Sequence, residues 1–257
     1  FKSKNIVLLK GYKPYLAFFV CLLVFFISFL FPVLQMMYWT IIFPKHLLDL
    51  KITELFLNTI LLVVLASSVL IIFAFISNFG NRVTKSKFLN FLTTFSICGY
   101  AIPGVILAVA YISFISWFDN NFISFFEIRS IKSLFIGSII GLVLVYFVRF
   151  YSLASNGIKS GYLKINYSID ESSYLLGYSK LKTFLNIHVP YLKNSVLLIG
   201  ILIAIEIIKE LPITLILRPF NFETFATQAY IFASQDLLEA AAAPSLFLII
   251  IASLFIL

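Results

Sequence analysis

Charged residues are scarce in this chain of 257 residues, at 12% against 61% hydrophobic. Soluble domains carry roughly 25% charged residues, so a soluble globular domain and a disordered chain are both excluded. Cysteine is nearly absent. Cys21 and Cys98 each sit inside an apolar run, which excludes a disulfide scaffold and supplies no metal cage. Histidine is limited to His46 and His188, in separate loops, and the H-E-x-x-H zinc pattern is missing. No glycine is followed by lysine, so there is no P-loop and no ATP-hydrolysing site in this chain. There is also no G-x-S-x-G nucleophile elbow. No catalytic constellation, metal site or cofactor is therefore expected. The net charge of +8 lies between apolar runs rather than along one basic face, so nucleic acid is not an expected partner.

Apolar sequence is what the chain has in abundance. Six runs stand out, at about 15–38, 56–79, 95–118, 134–153, 195–217 and 243–257. Most exceed the roughly 18 residues that separate a membrane span from a core helix. A bilayer offers no water to an open sheet edge, so each run is read as a helix. Barrel strands would alternate apolar and polar residues, and these runs do not. The expected fold is all-α: a polytopic membrane protein with six transmembrane helices, the last truncated at Leu257. The chain opens at Phe1 rather than Met, and reads as incomplete at both ends.

Sorting charges by alternate loops gives an orientation. One side carries Lys2, Lys4, Lys10, Lys13, Arg82, Lys85, Lys87, Arg149, Lys159, Lys164, Lys180, Lys182 and Lys193 against only Asp170 and Glu171. The other side carries six bases and nine acids. The positive-inside rule places the first side, with the N-terminus and the long loop 154–194, in the cytoplasm. Arg149 reads as a solvated anchor at the cytoplasmic end of the fourth span. Tyr38, Trp39, Trp117 and Tyr151 fall near span ends, as interfacial aromatics do. Gly137 and Gly141 have a small-x-x-x-small spacing that permits close helix approach.

The long loop is patterned. In INYSIDESSYLLGYSKLKTFLNIHVPYLKN (165–194), Ser168 precedes Glu171 by three residues, as in a capping box. Asp170 and Glu171 favour a helix N-terminus. A short helix is expected to Leu176, ended by Gly177, and a second from Lys180 to Val189, ended by Pro190. These features alone also fit an ordinary amphipathic helix–turn–helix on the membrane surface.

The run Glu171-Ser172-Ser173, Gly177, Ile187 and Val189-Pro190 resembles the E-A-A-x(3)-G-x(9)-I-x-L-P motif of ABC-transporter importer permeases. Ser172 and Ser173 replace the alanines, and Val189 the leucine. The resemblance implies the type I ABC importer permease fold. It also implies a coupling helix that docks on a separate ATP-hydrolysing subunit through Asp170, Glu171, Ser172, Ser173, Gly177, Ile187 and Pro190. Further pieces are similar to the iron(III)-type group of these permeases: Lys209-Glu210-Leu211-Pro212, Leu217-Arg218-Pro219-Phe220, Phe225-Ala226-Thr227, and Gly99-Tyr100-Ala101-Ile102-Pro103-Gly104. By that resemblance the chain is the C-terminal half of a fused permease in a bacterial inner membrane. Residues 1–54 would hold the N-terminal cytoplasmic segment, the first span and its outer loop; residues 55–257 would form the permease domain. Its partners would be the ATPase subunit, a periplasmic binding protein delivering ferric iron, a second permease half and the lipid bilayer. The chain itself would not be an enzyme.

Glu206, Lys209 and Glu210 lie in or beside the fifth apolar run. A charge at a span centre costs at least ~2.5 kcal/mol unless paired or wet, and a Glu206–Lys209 pair at i, i+3 would reduce that cost. Pro212 breaks the helix, which is tolerated where a cavity is lined. Glu206, Lys209, Glu210 and Pro212 are therefore the expected translocation-path residues, although a pair that merely stabilises a kink fits them equally. Other substrates (a polyamine, thiamine or an anion) and an ion-driven secondary transporter are the alternatives.

Overall fold

The computed structural model describes residues 10–48, 50–84, 86–126 and 135–255. In chain order its helices are α1 (Lys13–Phe25), α2 (Phe31–Ile42), α3 (Pro44–Leu48), α4 (Ile52–Thr84), α5 (Lys87–Ser96), α6 (Gly104–Phe126), α7 (Ile139–Tyr162), α8 (Tyr167–Leu175), α9 (Lys180–Thr183), α10 (Val189–Ile208), α11 (Pro212–Leu217), α12 (Phe225–Ser234) and α13 (Leu238–Leu254). No strand occurs among the described residues. Contacts divide the chain into two units, 1–50 with 229–247 and 51–228 with 248–257.

In the first unit, α1 and α2 run through a π-turn at Phe26–Leu30 as one apolar helix of 30 residues. Neither buries a residue within the chain, as expected of a helix apolar on every face that sits in lipid. The π-turn immediately precedes Pro32. Proline has no N–H and its ring clashes with the carbonyl four residues back. The wider turn, closed by the Phe31 N–H on the Phe26 carbonyl, absorbs it.

In the second unit, α4 is 33 residues long, about 50 Å at 1.5 Å per residue, and so exceeds the ~30 Å hydrocarbon core. Its buried face reads Leu55, Thr59, Leu62, Ala66, Leu70, Ala74, Asn78 and Arg82, a stripe stepping by three or four that turns polar at its far end. The stripe packs on α7 and α10. Lipid supplies no hydrophobic drive between helices, so close packing of small groups does the work. A Cβ on Gly161 of α7 would lie 2.8 Å from the Leu192 Cδ2 of α10.

Several sequence expectations are corrected. The third run, 95–118, is not one helix: Lys87–Ala101 and Gly104–Phe118 meet at 114°. Ile102, before Pro103, takes ψ 130°, because the proline ring crowds the helical region of the residue before it. The fourth run, expected at 134–153, is α7, which starts later and continues through Ser155 and Lys159. Pro190 does not end a helix. A second π-turn at Phe184–His188 takes it up, and the helix continues from Lys180 to Ile208. The fifth run breaks at 209–211, and Pro212 opens α11, where its missing N–H costs nothing. Gly137 lies in the turn before α7, so the two glycines do not share a helix face; a Cβ at Gly141 would meet the Phe135 carbonyl and, at 2.6 Å, the Tyr111 hydroxyl of α6. Tyr151 is buried and donates to the Ser77 hydroxyl at 2.5 Å, rather than sitting at an interface. Among the described residues four helices are long and apolar enough to cross a membrane, or five if the bent pair counts as one span. The apolar α13, where the sequence places a truncated last span, has 17 residues.

Candidate functional site

The 163–190 segment is tied to the helix bundle by buried side-chain hydrogen bonds. Asn166, not Ser168, caps α8: its side chain accepts the Ser168 N–H, so the expected capping box is corrected. The helix ends as expected. Gly177 has φ +80°, the Gly177 N–H reaches the Tyr174 carbonyl and the Tyr178 N–H the Ser173 carbonyl. That is the Schellman pattern, with glycine in the left-handed position that other residues occupy only under strain.

The inner face of α8 is held by buried charges. Asp170 accepts the Arg82 Nε–H at 2.6 Å on Oδ2 and the His188 Nε2–H at 2.8 Å on Oδ1. A carboxylate only accepts, so His188 carries its proton on Nε2. The His188 Nδ1 faces the Tyr162 hydroxyl at 3.3 Å. Arg82 also donates to the Ile165 and Asn166 carbonyls at 3.0 and 3.1 Å and stacks on the Tyr167 ring. One turn on, the buried Ser173 hydroxyl pairs with Thr183 at 2.6 Å. The base of α8 is thus tied to the end of α4, the end of α7 and the π-turn before α10.

The outer face is left open. Glu171 and Ser172 are exposed, and Leu175 and Leu176 are 89% and 78% exposed. Ile187 and Ser172 line a groove of about 490 Å³ beside α8, together with Ser168, Ser173 and Leu176. Pro190 stands at the start of α10. The seven residues expected to act together therefore divide. Asp170 and Ser173 hold the helix to the bundle, Glu171 and Ser172 are exposed, Gly177 makes the turn, Ile187 lines the groove and Pro190 opens α10.

The second cluster gathers at two helix breaks. Glu206 pairs with Lys209 at 2.6 Å, as the spacing predicts. Glu210 turns elsewhere: its Oε2 lies 3.3 Å from Arg149 Nε. Arg149 also donates to the Ile102 carbonyl at 3.0 Å, in the break before α6. The Glu210 carbonyl accepts from Thr214 at 2.7 Å, and the Thr214 hydroxyl bonds Tyr146 at 2.5 Å. A Cβ at Gly104 would lie 2.8 Å from Glu210 Oε1, so the start of α6 closes on this pair. Arg149 sits ten residues into α7, about 15 Å along its axis. The reading of Arg149 as an end-of-span anchor is overturned.

Arg82, His188, Thr183 and Arg149 join these clusters without standing among the residues the sequence singled out for them. A signal existed for two of the four. Arg82 continues the α4 stripe of three- and four-residue steps, and Arg149 is a charge inside an apolar run.

No family model matches the chain. Over 153 residues it is 27% identical to the molybdate/tungstate transport system permease protein WtpB of Methanocaldococcus jannaschii. The match covers 60% of this chain and 59% of that protein, so the chain spans about three fifths of the relative's length. A chain of a bacterial alginate ABC transporter, crystallised with an alginate pentasaccharide-bound periplasmic protein, superposes with a TM-score of 0.76 at 16% identity. The superposition covers 95% of this chain and 91% of that one. A crystal structure of a bacterial ABC transporter involved in import of the acidic polysaccharide alginate gives 0.73 at 17% identity, covering 95% and 92%. The chain therefore shares the fold of these ABC-transporter chains.

Proposed function

We propose that the chain is the membrane-spanning permease subunit of an ABC importer and that α8 is its coupling helix. One observation carries this reading: α8 is locked to the helix bundle by a buried Arg82–Asp170–His188 cluster, yet offers Glu171, Leu175 and Leu176 to a partner. A buried charge cluster of this kind transmits force, because pulling α8 away would strand charges that cost several kcal/mol. The absence of a P-loop from this sequence fits a chain moved by a separate ATPase. Asp170, Glu171, Ser172, Ser173, Gly177, Ile187 and Pro190 would form the coupling unit. Glu206, Lys209, Glu210 and Pro212, now with Arg149, would line the translocation path.

In this reading residues 1–54 carry the first span, and 55–257 form the permease domain with 154–194 cytoplasmic. The bent pair counts as one span and α13 as the sixth. The N-terminus faces the cytoplasm across the inner (plasma) membrane. A periplasmic binding protein delivers substrate, and a second permease half completes the pathway.

For the substrate, the molybdate/tungstate relative favours an oxyanion. Ferric iron, implied by the resemblance of 206–243 to the iron(III)-type group, is the second reading; neither the relative nor the structural neighbours support it. Reconstituted vesicles with the ATPase and binding protein decide both points. ATP-dependent accumulation of molybdate over ferric citrate supports the oxyanion reading, the reverse ratio supports iron, and uptake that needs no ATPase rejects the coupling role.

A further inference from the structure

Two buried carboxylates in this chain face an arginine, and they are held differently. Asp170 meets Arg82 at 2.6 Å and His188 at 2.8 Å, the short contacts of charge-assisted hydrogen bonds. Glu210 is equally buried, but its contacts are long. Its Oε2 stands 3.3 Å from Arg149 Nε, and its Oε1 accepts the Ile213 N–H at 3.4 Å. The Arg149 Nε–H makes no hydrogen bond among the described residues, so the 3.3 Å contact is charge pairing alone. A buried ion pair offsets its lost hydration only through short, well-aimed bonds. Glu210 therefore sits in front of Arg149 without being locked to it.

The surroundings suit exchange. The Arg149 side chain keeps 22% of its surface exposed, beside the break at 100–103, where Tyr100 and Ile102 are also exposed. Its Nη1 donates to the Ile102 carbonyl, so one guanidinium ties the break before α6 to the break before α11. Gly104 leaves room for both charges: a Cβ there would lie 2.8 Å from Glu210 Oε1 and 3.2 Å from Arg149 Nη1. Broken backbone at membrane depth belongs where a pathway is lined. We propose that the transported oxyanion competes with Glu210 for Arg149, the Glu210 carboxylate standing in the anion's place while none is bound. This deepens the permease reading above and rests on it. Exchange swaps one negative partner of Arg149 for another, so the cation is never stranded, and it unties Glu210 from the break before α6. The returning carboxylate expels the anion.

The test uses the full chain purified with its partner subunits in nanodiscs, without binding protein, and molybdate as the probe. Equilibrium dialysis reads binding. Glu210→Gln removes the competing charge and should bind molybdate about ten-fold tighter than wild type, the scale of one hydrogen bond to a charged group. Its uptake falls, because no carboxylate returns to expel the anion. Glu210→Gln/Arg149→Gln, which strands neither charge, should lose the whole gain in binding. A pair that only stabilises a kink would leave all three proteins alike, and that result overturns the proposal. So does a gain that survives the loss of Arg149. If wild type still accumulates molybdate with ATP while Glu210→Gln shows no gain, the permease reading stands and only the exchange fails. Wild type that accumulates iron and no molybdate overturns the oxyanion reading and the exchange together.

Discussion

Asp170 ties α8 to two other elements. Its two oxygens are each taken by a different element, through Arg82 and His188. Removing one partner leaves a buried charge, at about 3–5 kcal/mol. Arg82→Ala should therefore loosen the 163–180 segment, read as faster tryptic cleavage at Lys164 or Lys180 in membranes with the spans intact. Wild-type resistance to cleavage would contradict the clamp. Glu210→Gln should leave insertion unchanged but lower uptake by about ten-fold, since Arg149 loses its counter-charge. The double variant Arg149→Ala/Glu210→Ala should recover part of the expression lost in Arg149→Ala alone, because neither charge is then stranded. Purely additive losses would rule out the pair. Half of this chemistry was legible. Asp170 and Glu210 stood out as charges in telling places, and the i, i+3 rule found Glu206–Lys209. Their long-range partners did not, since Arg82 lies 88 residues from Asp170 and Arg149 lies 61 from Glu210; one sequence carries no signal for such pairings.

At the scale of elements, the loop helix was legible because its punctuation is local. Gly177 ends α8 through its own backbone angle, and any sequence reader can expect glycine there. The N-cap was misread by two residues because Asn166 and Ser168 both suit that position, and only the turn geometry chooses between them. The break at Pro103 was missed because hydropathy registers composition, not direction. Gly177→Val forces a β-branched residue to φ +80°, at roughly 1–2 kcal/mol, and should swing the 178–183 segment away from Thr183's bond to Ser173. ATP turnover should then persist while uptake falls, read as a drop in substrate moved per ATP. A proportional fall in both would show that the turn is not a coupling part.

For the whole molecule, hydropathy found the membrane class and the number of apolar runs, and loop charges gave an orientation. The helices themselves are less regular than the runs, since prolines at 32, 103, 190 and 212 are each absorbed by a π-turn, a bend or a restart. Orientation has a direct check. Ser172 and Phe220, the latter 98% exposed, lie at loops on opposite sides of α10 and α11 in the topology. Ser172→Cys should label only from the cytoplasm and Phe220→Cys only from outside; labelling of both from one face would break the span order. We propose α8 as the contact through which an ATPase drives this chain. The most direct measurement is a cross-link from Ser172→Cys to the ATPase subunit, in a background with Cys21→Ser and Cys98→Ser, because both native cysteines are exposed. A single nucleotide-sensitive adduct with the ATPase is expected, lost when the cysteine is moved to Phe220. An ATPase that assembles with the chain but is never captured from Ser172 would contradict it.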